Sequence, residues 1–389
     1  VEACYAPAVP QIRSNASRSA RGPLVAVVLP GNERFQPSAA GAIALLQAQL
    51  APHAYHTRPV IFATGPKQEA AFPGIPFWPI RPLPLPIPRS ARYFQALKVA
   101  LAQAQPDLIE VHNRPRLAIA LARRFPDCPV SLFLHNDPTT MKGARTVEKR
   151  IRLSRMLAGV TVVSAFLRDR YMSGHADMTA PEVQPNCLDL AALPPSLPPE
   201  QREKLILFAG RLVEEKGADR FVAACRAVLP QRPGWRAMMI GASRLRPGED
   251  LPYARSVRAE AEAAGITVDG YQPHGAVLAA MARAAILVVP SIWEEPFGLV
   301  ALEGMACGAA VLSSNRGGLP EVTGDAAILI DPEQPEQFES SLLALTSDDA
   351  RRAALSEAGR AQAVKFDAAL AAARLDALRL KTISGWGQR

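Results

Sequence analysis

Short apolar runs recur along this chain, and each stops abruptly at a glycine or a polar residue. In the first half they are Leu24–Leu29, Pro59–Ala63, Leu108–Val111, Val130–Leu134 and Val160–Val163. In the second half they are Lys204–Phe208, Met238–Gly241, Ile286–Val289 and Ala309–Leu312. Their length and β-branching predict strands buried on both faces. Between them apolar residues fall three or four apart, the spacing of helices with one buried face, as over Ser38–Leu50 and Ala91–Ala104. Further helices are predicted over 335–345, 350–363 and 367–382. Alternation of this kind in both halves predicts an α/β chain of two doubly wound domains facing across a cleft, each with a parallel sheet. The Pro-rich run Ala191–Glu200 reads as the linker between them. The expected organisation is a loose tail over 1–21, a first domain over 22–195 and a second over 201–365, with a last helix over 366–389. Seven prolines between Pro73 and Pro88 forbid a helix there and favour extended backbone; Phe77, Trp78 and Ile80 argue that it packs on the first domain.

Composition narrows the compartment and the partners. Of 389 residues, 49% are hydrophobic and 21% charged, an ordinary globular balance. No window approaches 18 unbroken apolar residues, so no transmembrane helix is expected, and residues 1–21 lack the apolar core of a signal peptide. Five scattered cysteines (Cys4, Cys128, Cys187, Cys225, Cys307) have no metal-ligand spacing and read as reduced thiols in a cytoplasm. The net charge of +8 is uneven: residues 1–196 carry 22 Lys and Arg against 12 Asp and Glu, the remainder 22 against 24. A basic half suits nucleic acid, anionic lipid or phosphate-bearing substrates. Aromatics are only 6% and do not alternate with the cations as stacking platforms would, so nucleic acid is the weaker reading. The basic amphipathic segment 142–157 is either a solvated helix face, a peripheral membrane contact or a phosphate-rich acceptor site.

The chemistry concentrates in residues 290–321. After the apolar run Ile286–Val289 come Glu294 and Glu295, then Pro296, then a helical pattern from Phe297 that Gly308 closes. At the helix start Gly298 allows close backbone approach. The first-turn amides of Gly298, Leu299 and Val300 lack helical partners and, with the helix dipole, form an anion site suited to phosphate. Glu303 lies about 7.5 Å further along the axis at 1.5 Å per residue, roughly the reach from a diphosphate to its ribose. A carboxylate there can accept from both ribose hydroxyls. The blander alternative is an acid that favours the helix dipole and an exposed Glu303. Gly210-Arg211 and Lys216-Gly217 after strand Lys204–Phe208 offer two cations five apart, matched to a diphosphate, though isolated cations are more often plain surface residues. In the first half Gly31 ends the first strand, and two strands end in His112-Asn113-Arg114-Pro115 and His135-Asn136-Asp137-Pro138. Each His is either a cleft group or a strand-end hydrogen-bonding group with no chemistry. His135 and Asp137 have no evident third partner for a metal. No dinucleotide fingerprint and no internal repeat appears.

Glu295-Pro-Phe-Gly-Leu-Val-Ala-Leu-Glu303, Met305-Ala-Cys-Gly308 and Gly317-Gly-Leu-Pro-Glu321 together resemble the signature of the retaining glycosyltransferases of family 4. The resemblance covers roughly residues 24–385, strongly in the second half and loosely in the first. It implies a GT-B fold in which the last helix crosses back onto the first domain. It implies a sugar carried from a nucleotide diphosphate to a hydroxyl with retention, without metal or other cofactor. By the same resemblance Glu303 holds the ribose, Glu295 contacts the donor sugar, and the backbone after Phe297, through Gly298, Leu299 and Val300, holds the phosphates. Arg211 and Lys216 neutralise the leaving diphosphate. The turn with Tyr271 and His274 lies beside the base, and His135 lies next to the transferred sugar. Gly31 stands for a glycine-rich loop in which Asn32 replaces a second glycine; Asn32, His112 and Arg114 become acceptor-side residues. The expected catalytic set is therefore Glu295, His135, Arg211 and Lys216. The expected donor is a UDP-sugar, then GDP-mannose, and the acceptor a glycan or lipid-linked hydroxyl in lipopolysaccharide or exopolysaccharide synthesis, on the cytoplasmic membrane face. A sugar-nucleotide epimerase of the same fold and a non-catalytic sugar-nucleotide binder are the alternatives.

Overall fold

The computed structural model describes residues 22–65, 71–82, 86–175, 178–243 and 250–387; the tail expected over 1–21, Cys4 and part of the proline-dense stretch lie outside the described residues. Contacts divide the chain into two compact units. One takes the chain up to Cys187 and again from Ala368; the other is Leu188–Asp367. Among the described residues no helix is long and apolar enough to cross a membrane.

The first unit runs β1 (Leu24–Val28), α1 (Ala42–Leu50), β2 (Arg58–Ala63), β3 (Phe77–Pro79), α2 (Arg89–Ala104), β4 (Leu108–His112), α3 (Pro115–Arg124), β5 (Val130–Leu134), α4 (Val147–Met156), β6 (Gly159–Val162), α5 (Ala165–Met172) and β7 (Glu182–Val183). All seven strands are parallel, in the order β3-β2-β1-β4-β5-β6-β7. The order reverses between β1 and β4, and the crevice outside the carboxyl ends of two such strands is where doubly wound sheets hold ligands. Helices on the faces seal β1 completely, and Phe35, Ile61 and Phe77 join it in one core. The proline-dense stretch enters the sheet as the edge strand β3, where a missing N–H costs little, and Trp78 stacks on Phe62 at 5.5 Å. The helix expected from Ser38 begins only at Ala42. Pro37–Ala39 forms a separate 3₁₀ turn, and the Gly41 amide donates to Glu33 Oε2 at 3.1 Å, which fixes the later start. In the basic segment the helix likewise begins at Val147. One of its cations, Arg150, is not on a solvated face: it is 2% exposed and donates to the carbonyls of Tyr171, Ala144 and Ser173.

The second unit runs β8 (Glu203–Ala209), α6 (Ala218–Val228), β9 (Arg236–Ile240), α7 (Pro252–Ala263), β10 (Thr267–Val268), α8 (His274–Arg283), β11 (Ala284–Val289), α9 (Leu299–Ala306), β12 (Ala310–Ser314), α10 (Leu319–Thr323), β13 (Ala327–Ile330), α11 (Pro335–Ser347) and α12 (Asp349–Val364). Its six parallel strands follow the order β10-β9-β8-β11-β12-β13, reversing between β8 and β11. Phe208 and Phe221 meet at 5.6 Å in a core that includes Ile206, Val222, Met239 and Val288. Sealing each phenylalanine from water stabilises the unit by about 1.5–3 kcal/mol.

The chain then returns to the first unit as α13 (Ala368–Trp386). Asp376, 1% exposed, anchors this helix: its carboxylate accepts from the amides of Tyr55 and His56 at 2.8 and 2.7 Å and from the Thr57 hydroxyl. Asp376→Ala would strand three donors in a buried place. It is expected to lower stability by about 3 kcal/mol, read as a lower urea midpoint for loss of the first unit's structure. A midpoint unchanged from wild type would show that water replaces the carboxylate without cost.

Candidate active site

In the second unit the polar groups begin where β8 and β11 stop. The loop after β8 leaves through Gly210, whose amide donates to Ile240 O at 3.0 Å. Gly241, after β9, has φ +148, and a Cβ there would lie 1.8 Å from Gly210 O. Only glycine lets these two loops close on each other. Arg211 follows, its side chain largely in solvent and 4.0 Å from Glu215. Lys216 ends a 3₁₀ turn that Gly217, at φ +65, terminates against Pro290 O. The Lys216 ammonium donates to Glu295 Oε1 at 2.5 Å and lies 5.4 Å from the centre of the Trp293 ring. Ser291 donates to the same oxygen at 2.5 Å. Glu295, 7% exposed, is thus held by one cation and one hydroxyl.

The loop that carries Glu295 is clamped from behind. The Gly318 amide donates to Glu295 O at 2.7 Å and the Gly317 amide to Glu294 Oε2 at 2.6 Å. A Cβ on Gly317, at φ +61, would stand 2.2 Å from Glu295 O. This is the physical reason for the doubled glycine. Gly298 caps α9 at φ +113 with Leu319 against it, leaving no room for a side chain. The first-turn amides of Leu299 and Val300 follow directly. The Phe297 ring is 4% exposed and packs edge-on against Phe366 at 5.7 Å. Of this residue, only the backbone is placed to serve a ligand; its side chain belongs to the core.

A cavity of about 310 Å³ lies at this end of the sheet, lined among others by Arg211, Gly241, Tyr271, His274, Val300 and Glu303. Five residues expected at a donor site therefore line one cavity, while Lys216 and Glu295 form a separate pair beyond its lining. Glu303 is buried, at 8%, not exposed as in the blander alternative, and its Oε1 already receives His274 Nε2 at 2.8 Å. That hydrogen bond raises the His274 pKa above its ordinary 6.5, with burial opposing the shift. One imidazole occupies only one of the roughly four lone-pair sites on the carboxylate, so capacity for a diol remains.

In the first unit, Gly31 packs its α-carbon against the Tyr93 ring, where a Cβ would lie 3.0 Å from Cγ. Asn32 Oδ1 accepts from Arg114 at 2.5 Å, joining the ends of β1 and β4. Arg114 also donates to Asn113 O at 2.8 Å, and Glu33, its pKa raised by burial against the pull of the Gly41 amide and Arg114, lies nearby. Asn113, in the left-handed region at φ +53, turns its Oδ1 to the His135 amide at 2.8 Å. His135 is 9% exposed. His112, expected on the acceptor side, is fully buried behind it, so no acceptor touches His112 here. Its Nδ1 is 2.8 Å from His135 Nε2, and its Nε2 is 3.2 Å from Glu110 Oε1. Glu110 lies within β4 and its partner Arg379 on α13, 269 residues away, so neither marks the other in the sequence. Ser291 and Trp293, by contrast, sit within the quoted motif stretch and can be found from their spacing to Glu295. Among the described residues no three His, Cys, Asp or Glu side chains gather as metal ligands.

The family model described as "Glycosyl transferases group 1" matches residues 191–362, and "Glycosyltransferase Family 4" matches residues 43–192. The D-inositol 3-phosphate glycosyltransferase of Segniliparus rotundus is 32% identical over 226 residues, 54% of this chain and 49% of that protein, so the chain spans about half the length of that relative. Among solved structures, sucrose-phosphate synthase from Thermosynechococcus elongatus superposes with a TM-score of 0.74 at 19% identity, covering 93% of this chain and 100% of that one. Anabaena HepE in complex with UDP and glucose gives 0.72 at 17% identity, covering 92% and 99%.

The His274–Glu303 pair makes a pH prediction. A raised folded-state pKa contributes stability that is full below about 6.5 and is lost as pH rises through the elevated value. The difference in melting temperature between wild type and His274→Ala is therefore expected to shrink between pH 6 and pH 8.5. A constant difference across that range would show that the pair does not form in solution.

Proposed function

We propose that this chain, which belongs to glycosyltransferase family 4 and has the two-domain GT-B fold, transfers a hexose from a nucleotide diphosphate to a hydroxyl with retention at the anomeric carbon. The observation that carries the reading is the single cavity past β8 and β9 on which Arg211, Tyr271, His274, Val300 and Glu303 converge. Its volume, about 310 Å³, is in the range of small-molecule sites. Glu303 receives the ribose hydroxyls, the amides at the start of α9 receive the phosphates, and the turn at Tyr271 flanks the base. Departure of the diphosphate builds negative charge on its bridging oxygen. Arg211, Lys216 and the amides of Gly298 and Leu299 stabilise that charge more in the transition state than before it, which is the requirement for catalysis. Lys216 serves this role from beside Glu295, which its ammonium holds in place for the sugar. In the first unit His135 meets the sugar, and Asn32 with Arg114 meets the acceptor. A front-face substitution without a protein nucleophile fits a site in which Glu295 is already engaged by Lys216 and Ser291. These cations and amides supply the electrostatics without a metal, and turnover is expected to persist in EDTA.

A UDP-sugar is the favoured donor. HepE, solved with UDP and glucose, has the same fold, which supports that choice; GDP-mannose is next. The acceptor is a hydroxyl of a cell-envelope glycan or a lipid-linked glycan, and the basic first half suits a peripheral position on the cytoplasmic membrane face.

The decisive experiment offers UDP-, GDP- and ADP-sugars to the purified protein and follows nucleotide release and binding. Slow release from one donor without acceptor is expected. Release of an epimerised sugar nucleotide with no free nucleotide would favour the epimerase, and binding without any conversion a sugar-nucleotide binder. Glu303→Ala is expected to weaken nucleotide binding about 10- to 100-fold, and Glu295→Ala to reduce turnover with little change in that affinity. Arg211→Ala is expected to cost about 100- to 1000-fold in turnover. Calorimetry showing unchanged nucleotide affinity for Glu303→Ala would remove the ribose assignment.

A further inference from the structure

A buried chain of polar groups in the first unit does more than fill space. Arg379 on α13 grips Glu110 on β4 with two hydrogen bonds, Nε to Oε2 at 2.9 Å and Nη2 to Oε1 at 2.7 Å. Glu110 Oε1 faces His112 Nε2 at 3.2 Å, and His112 Nδ1 faces His135 Nε2 at 2.8 Å. Glu110, His112 and Arg379 are 3%, 0% and 3% exposed, so water does not break the chain. The rings of His112 and His135 are stacked with Phe133 at 5.1 and 4.7 Å, which fixes their planes.

Hydrogen positions along this chain follow from its fixed end. Burial pushes the Glu110 carboxyl up, but Arg379 and the His112 hydrogen bond outweigh it and hold the group ionised. An ionised carboxylate only accepts, so the hydrogen in the Glu110–His112 contact is on His112 Nε2. Arg379 already balances Glu110, and a further positive charge on the fully buried His112 would be uncompensated at a cost of several kcal/mol. The arrangement that adds no further buried charge leaves His112 Nδ1 bare, and in it the hydrogen of the 2.8 Å contact belongs to His135 Nε2. Burial, first of all, holds His135 itself neutral, against the opposing influence of Glu110 and Asn186. A neutral imidazole with its hydrogen on Nε2 has a lone pair on Nδ1.

We propose that His112 is a positioning residue that fixes the tautomer of His135, through the Arg379–Glu110–His112–His135 chain, so that His135 Nδ1 meets a bound sugar or acceptor hydroxyl as a hydrogen-bond acceptor. This rests on the transferase reading for its use, but not for its geometry. The groups that face the two rings are Glu110 on β4, Arg379 on α13, Phe133 on β5, and Asn186 and Asn113 from the loops after β7 and β4. Asn186, 8% exposed, is the group whose carboxamide oxygen would take a hydrogen from His135 Nδ1 in the opposite tautomer.

The test compares wild type with His112→Phe, which keeps the ring but removes both nitrogens, and His112→Asn, whose carboxamide oxygen can still accept from His135 Nε2. The readout is the ¹⁵N–¹H correlation pattern of the His135 ring in the full chain, which distinguishes the two tautomers and the cation without any substrate. Wild type and His112→Asn are expected to show the hydrogen on Nε2; His112→Phe is expected to show a mixture of tautomers. If transfer is observed, His112→Phe should lower kcat by about 100-fold or more, as a wrong tautomer does in a hydrolase triad, while nucleotide affinity on the second unit stays unchanged and His112→Asn recovers most of the rate. A wild-type spectrum with the hydrogen on Nδ1 or on both nitrogens overturns the proposal, as does a His112→Phe spectrum identical to wild type. A chain that transfers nothing but shows the expected spectra fails the transferase reading alone.

Discussion

The reversal of strand order in each parallel sheet governs where this protein can do chemistry. In a sheet covered on both faces, strands accept almost only apolar side chains, so polar groups are pushed to the loops where strands end. Where neighbouring strands send their connections to opposite faces, two such loops part and leave a crevice. In the second unit β8 and β11 are those strands; the first delivers Arg211 and Lys216, the second Ser291 and Glu295, and the Lys216–Glu295 pair joins them. In the first unit β1 and β4 deliver Asn32 and Arg114, which also pair. The same topological event thus produces both polar contacts. The glycines at 217, 241 and 317 stand where converging loops meet backbone to backbone.

This constraint explains what could be read from sequence. Strands β1, β5, β8 and β11 announced themselves as apolar runs of the right length, and Val130–Leu134 is observed over the residues expected. The motif around Glu295 and Glu303 was legible because helix start, glycine and acids sit within one short stretch. Boundaries set by a single tertiary hydrogen bond were not. The Gly41 amide on Glu33 moves the start of α1 by four residues from Ser38 to Ala42, and no local preference encodes that. His112 shows the same limit in the site. From sequence it stands beside His135 as an equal, each at a strand end; in the fold both are buried, but His135 keeps 9% exposure and His112 none. Glu110 and Arg379 were invisible for a stronger reason: they lie 269 residues apart, and neither has meaning without the other.

Burying an ion pair of that kind is seldom the cheapest way to stabilise a fold, since well-packed apolar residues of similar volume often do as well. Its retention at 3% exposure is better understood through what the carboxylate enforces on the next group in line. A salt bridge between Arg379 and Glu110 sets a hydrogen on His112, and a hydrogen on His112 sets one on His135. Charge buried deep in the unit in this way specifies the hydrogen-bonding sense of a ring two groups away.

The return of α13 has a consequence for biosynthesis. Residues 24–187 leave the ribosome first, yet Glu110 and the amides at 55–56 find their partners only when Arg379 and Asp376 follow, after the whole of the second unit. Translation at about 5–20 residues per second imposes a wait of roughly 10–40 s over those 180 residues. During that interval the nascent first unit carries an uncompensated carboxylate in its sheet, a state that favours loose packing around β4 and recognition by chaperones. The second unit, continuous in sequence, has no such debt and can complete its core first.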